Sequence, residues 1–100
     1  MKAKAPDNST KSRSIEILIC NNKGLHARAS ALFVKCVQQF DAIITVTRDG
    51  ETVSGNSVMD LLMLAAGKGT ALTINASGKQ SNEALEQLDA LIAAGFYEDS

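Results

Sequence analysis

One hundred residues, 45% hydrophobic, 21% charged and 4% aromatic, suit a single soluble domain with one modest core. Residues 1–13 set Lys2, Lys4, Lys11 and Arg13 against Asp7, a net +3, while the remainder sets six Lys/Arg against ten Asp/Glu, a net −4. A domain that acidic, without Trp or a basic patch, is a poor nucleic-acid binder. Its apolar runs are too short to span a bilayer. Two cysteines outside any C-x-x-C pair, with a single histidine, do not make a metal site, and no cofactor motif is present.

In chain order, MKAKAPDNSTKSR has no hydrophobic period and reads as a flexible leader over residues 1–13, with the domain covering 14–100. It lacks a secretory apolar segment, so cytoplasm is the expected compartment. Ile15, Ile17 and Ile19 alternate as a first strand, and Asn21-Asn22-Lys23-Gly24 punctuates it. Ala29, Leu32, Phe33, Cys36, Val37 and Phe40 then recur as one apolar helical stripe. Residues 42–47 are rich in β-branched side chains, and Asp49-Gly50 predicts a hairpin into residues 51–54. Ser57 is a candidate N-cap, with Asp60 three residues on, for a helix over residues 58–66 that Gly67-Lys68-Gly69 stops. Leu72, Ile74 and Ala76 alternate in a fourth strand. Ser81 is the predicted cap of a last helix with Ala84, Leu85, Leu88, Leu91 and Ile92 on its apolar face. Gly95 ends it, and the tail carrying Glu98 and Asp99 is expected in solvent. Cys20 and Cys36, each inside an apolar run, are expected as buried, reduced thiols.

The order β-α-β-β-α-β-α predicts an α+β two-layer fold, a four-stranded, largely antiparallel sheet covered on one face by three helices. In the second helix Leu61, Leu64 and Ala65 suit the core. Val58, Met59, Leu62 and Met63 form a neighbouring apolar set that one short helix cannot also bury, which predicts an exposed docking patch. Lys35 and Gln38 border that face or simply lie in solvent.

The chemistry centres on Gly24-Leu25-His26-Ala27-Arg28. His26 precedes the helical stripe, at or near the N-cap, where the amides around Ala27 to Ser30 have no intrahelical partners. The dipole adds positive potential there, and a phosphoryl group on His26 would meet the backbone of Ala27 and Arg28 and the Arg28 guanidinium. One imidazole, free amides and an arginine suffice for a phosphoryl carrier, but not for an independent kinase or phosphatase. The plain alternative is a capping histidine without chemistry.

At these residues the chain resembles the phosphocarrier HPr family of the phosphotransferase system, from about Ile15 to Phe96. GLHAR is the family's active-site motif, and Asn56-Ser57-Val58-Met59-Asp60-Leu61-Leu62-Met63-Leu64 resembles its regulatory-serine helix. The resemblance implies an open-faced β-sandwich and a monomeric, non-enzymatic carrier, phosphorylated on His26 Nδ1 by Enzyme I and discharging to a IIA protein or domain. Arg28 would hold the phosphate, and Ser57 would match the serine that an HPr kinase/phosphatase modifies in some members. Ala29 stands where the family usually has proline after the arginine. NSVMDLLML and AGFYEDS look closer to the nitrogen-related branch than to sugar-branch carriers. The competing reading on the same fold is a purely regulatory binding module switched at Ser57. A small-ligand regulatory domain would need a crevice that nothing specifies, and a hydrolase would need a base or metal that the lone histidine lacks.

Overall fold

The computed structural model describes residues 12–98. The first strand, β1, runs Ser12–Leu18, so Ser12 and Arg13, expected in the leader, are strand residues; residues 1–11 lie outside the described part. Ser12 and Arg13 are drawn into the ladder because β4 (Ala71–Ser77) is long enough to pair with them, Ser12 opposite Ser77 and Arg13 opposite Ala76. β2 (Ile43–Arg48) lies antiparallel on the other side of β4 and β3 (Glu51–Ser54) antiparallel beyond it, giving the order β1-β4-β2-β3. Asp49 and Gly50 both adopt left-handed φ, 50° and 84°, the conformation that a tight hairpin turn requires.

Three helices cover one sheet face: α1 (Ala27–Val37), α2 (Val58–Met63) and α3 (Ser81–Ala93). The fold is an α+β open-faced sandwich. Period-2 burial on β4 sends Leu72, Ile74 and Ala76 into the core, where they meet Ala29, Phe33 and Val37 of α1 and Ala84, Leu85, Leu88, Leu91 and Ile92 of α3. Leu32, Cys36 and Phe40, on the same predicted stripe, are only partly buried against it.

Three local expectations need correction. The second helix ends at Met63 rather than at residue 66, because Ala65 turns left-handed at φ 52°. That turn buries Leu64 and Ala66, exposes Ala65, and lets Arg48 Nη1 donate to the Leu64 carbonyl at 3.0 Å. Gln80, not Ser81, is the N-cap of α3, and Ser81 is buried inside the first turn. Cys20 is exposed, since it continues the outward parity of Glu16 and Leu18 while Ile19 turns inward, and its Sγ donates to the Ile92 carbonyl at 3.2 Å; Cys36 is half-buried, and burial pushes its thiol pKa up. No helix among the described residues is long and apolar enough to cross a membrane.

Candidate functional site

After β1 the chain must turn and enter α1, and the turn Asn21–Gly24 sets the entry. The Gly24 amide donates to the Asn21 carbonyl at 3.2 Å, and Asn21 Nδ2 returns a bond to the Gly24 carbonyl at 2.8 Å. Gly24 adopts φ 66° pressed against the chain that leaves α2, and the next amide, Leu25, donates to the Ala66 carbonyl at 2.8 Å. Lys68 Nζ reaches back to Asn22 Oδ1 at 3.0 Å, so the two loops are tied on both sides of the turn.

His26 is the N-cap of α1, with extended backbone at φ −79° and ψ −176°. Its Nδ1 accepts from the Arg28 amide at 3.3 Å. Ser30 already donates to the His26 carbonyl at 2.8 Å, so the set of open amides is shorter than the sequence suggested: Ala27 and Ala29 remain, with Arg28 turned to the imidazole. The Arg28 side chain is exposed and makes no ion pair among the described residues.

The other ring nitrogen finds a partner that the sequence did not suggest. Glu98 Oε2 lies 2.5 Å from His26 Nε2, and the expectation that Glu98 stands in solvent is incorrect. After α3 the chain makes a 3-10 turn, Gly95–Tyr97, in which Gly95, Phe96 and Tyr97 all take left-handed φ of 64°, 54° and 59°. Phe96 is buried in the core and anchors this strap, which swings Glu98 back over the start of α1. The carboxylate also accepts from Asn21 Nδ2 at 3.0 Å and from the Lys23 amide at 3.5 Å. Burial raises the Glu98 pKa, but the bonds from Asn21, His26 and Lys23 and the His26 charge outweigh it, and the net shift is downward. A carboxylate has no proton to give, so the Nε2–H donates, and in the neutral ring the lone pair lies on Nδ1, where the Arg28 amide donates to it. Among the described residues no cluster of three or more His, Cys, Asp or Glu side chains could hold a metal ion.

Ser57 is the N-cap of α2, its Oγ accepting from the Asp60 amide at 3.2 Å. Met59 and Met63 are 68% and 69% exposed, whereas Val58 and Leu62 are partly buried and Leu61 is fully so.

A single imidazole stands at a helix start, its Nε2 on Glu98 and its Nδ1 accepting from the Arg28 amide, with an exposed guanidinium two residues on and an open-faced sandwich behind it, an arrangement that can hold an anionic group at the head of α1. The family model described as the PTS HPr component phosphorylation site matches residues 13–94. The phosphocarrier protein HPr of Pseudomonas aeruginosa is 45% identical over 86 residues, covering 85% of this chain and 96% of its own. Phosphocarrier protein NPr of Shewanella violacea is 39% identical over 85 residues, covering 85% and 93%. The crystal structure of HPr-C-His from Thermoanaerobacter tengcongensis superposes with a TM-score of 0.84 at 34% identity, covering 88% of this chain and 99% of that one. The chain belongs to the HPr/NPr phosphocarrier family of the phosphotransferase system.

Proposed function

We propose that this carrier takes a phosphoryl group on His26 Nδ1 from Enzyme I and passes it to a IIA protein or domain. The observation that carries the reading is the His26 ring itself: Nε2 is held by Glu98, while Nδ1 faces the amides that open α1. The Nδ1 lone pair forms the new N–P bond in line as the donor's bond to phosphorus breaks, and that electron pair stays with the donor. The Nε2 proton remains on the ring, so positive charge develops there and the Glu98 carboxylate offsets it. The Ala27 amide, the Arg28 amide once the Nδ1 lone pair it serves is taken up in the N–P bond, the helix dipole and the exposed Arg28 guanidinium steady the phosphoryl oxygens. In discharge the acceptor's nucleophile attacks phosphorus, and the Nδ1–P electron pair returns to the ring.

Both partners would dock over the apolar set on α2, with Met59 and Met63 as its most exposed members and Val58 and Leu62 at its base. Methionine adapts to more than one surface, which suits a protein that meets a donor and then an acceptor. Such a relay works as a monomer in the cytoplasm. Ser57 is the proposed target of an HPr kinase/phosphatase. A phosphate there adds about −1.5 to −2 charges beside the docking patch. At a helix N-terminus that charge leaves the fold intact and weakens association with acidic partner surfaces.

The test is incubation with Enzyme I and labelled phosphoenolpyruvate. The expected product is an acid-labile, base-stable phosphoprotein, absent in His26→Ala and retained in Ser57→Ala. Label that persists in His26→Ala overturns the assignment and favours a docking module without chemistry at the histidine.

A further inference from the structure

We propose that Asn21 is a positioning residue for phosphoryl transfer: by holding Glu98 against His26 Nε2, it fixes the ring tautomer that leaves Nδ1 as the nucleophile. This inference rests on the phosphocarrier reading above. Asn21 is only 5% exposed and touches neither Nδ1 nor the place where a phosphoryl group would sit, so its influence passes through the carboxylate. Its two Nδ2 protons are divided between the Gly24 carbonyl and Glu98 Oε2, the same oxygen that receives the His26 proton. One amide group therefore joins the turn that aims His26 to the carboxylate that orients its ring.

Three features favour this role over simple support of the turn. The Asn21 Oδ1 is buried without a partner among the described residues, a cost to stability. A residue chosen only to close the turn would avoid that cost; this one is useful at its donor end. The amide is also neutral. A lysine in its place would bind Glu98 and cancel the charge that must face the ring once Nδ1 bears phosphorus, whereas the amide orients the carboxylate and leaves it charged. Finally, Glu98 follows a strap of three left-handed residues, its backbone amide donating to the Gly95 carbonyl at 3.0 Å, and beyond Asn21 and His26 its carboxylate accepts only from the Lys23 amide among the described residues, at a long 3.5 Å. Without Asn21 the carboxylate has little to hold it on Nε2.

Two readouts on the full chain test the proposal. Nitrogen-15 NMR of the His26 ring reports which nitrogen carries the proton, and the rate of phosphoryl uptake from Enzyme I reports the consequence. The variants are Asn21→Ala, Asn21→Asp, Glu98→Ala and the double variant Asn21→Ala/Glu98→Ala. Asn21→Asp keeps the side-chain shape but gives up both donors, including the one to the Gly24 carbonyl, so the Glu98→Ala background, which leaves that turn bond in place, is what separates support of the turn from positioning of the carboxylate. The wild-type ring should be protonated on Nε2, and each single variant should admit the Nδ1-protonated form. Uptake should slow by about 10- to 100-fold in Asn21→Ala. In the Glu98→Ala background, removing Asn21 should add less than about twofold, because the two act in one chain. Ring signals unchanged in both Asn21 variants overturn the proposal, as does an Asn21→Ala effect equally large with and without Glu98. If the ring signals shift as expected but the wild-type chain takes no phosphate, the carrier reading fails while the Asn21–Glu98–His26 coupling stands.

Discussion

Gly24 and Ala66 meet so closely that a β-carbon on Gly24 would lie 2.5 Å from the Ala66 carbonyl oxygen. The same carbonyl accepts from Leu25, so the end of α2 and the approach to His26 are one packed unit. Gly24→Ala adds a steric clash to a left-handed backbone that alanine resists. We expect a loss of at least ~2 kcal/mol in denaturant unfolding. Phosphoryl uptake should fall as well, because relief of the clash moves the N-cap.

Glu98 couples this site to acid stability. Its pKa is lowered in the folded protein, so the contribution to stability is present above the ordinary glutamate pKa, about 4.3. As pH falls through the lower folded value, that contribution is lost. Unfolding free energy of the wild type should therefore decline with acid more steeply than that of Glu98→Gln below about pH 4.3. Parallel pH profiles for the two would refute the linkage.

The two apolar sets on α2 should separate by experiment. Leu61 is fully buried, and Leu61→Ala should cost about 2–5 kcal/mol in stability. Met59→Ala and Met63→Ala remove exposed side chains and should stay within about 0.5 kcal/mol of the parent. The same two changes should raise the KM for Enzyme I with little effect on kcat. A KM unchanged in both would move the docking surface elsewhere.

Ser57 offers a second separation of fold from function. Ser57→Ala removes the bond to the Asp60 amide and should cost about 1 kcal/mol in thermal or denaturant unfolding. Ser57→Asp keeps a capping oxygen, so its stability should remain near the parent's while the rate of phosphorylation by Enzyme I drops. A Ser57→Asp protein charged as fast as the parent argues against a regulatory role.

The fold was largely legible because its signals are local and periodic. The alternation of Leu72, Ile74 and Ala76 and the stripe from Ala84 to Ile92 both enter the core as spaced. The place of His26 followed from the onset of the helical stripe, and the Ser57 cap from its position before an apolar run. What escaped depends on contacts between distant segments. Ala65 is an ordinary helix former that turns left-handed only because Leu64 and Ala66 are needed in the core and the Ala66 carbonyl pairs with Leu25. Cys20 is the exception, where the apolar character of its run misleads: it has the outward parity of Glu16 and Leu18, and the alternation that buries Ile19 leaves it exposed. Glu98 is 72 residues from His26 and reaches it through a left-handed strap without a glycine at Phe96 or Tyr97, so no spacing rule joins them. A buried aromatic just past a helix-ending glycine was the available hint that the tail folds back.

The direction of β1 bears on how the protein can be handled. Its Leu18 end feeds the turn before His26, whereas Ser12 stands at the far end of a seven-residue strand, roughly 20 Å away at strand spacing. The strap after α3 instead delivers its last described residue directly onto the imidazole. Fluorophores, affinity handles and surface tethers are therefore better fused ahead of Ser12; the same cargo joined just past Glu98 would crowd incoming proteins and could masquerade as a defect in the chemistry.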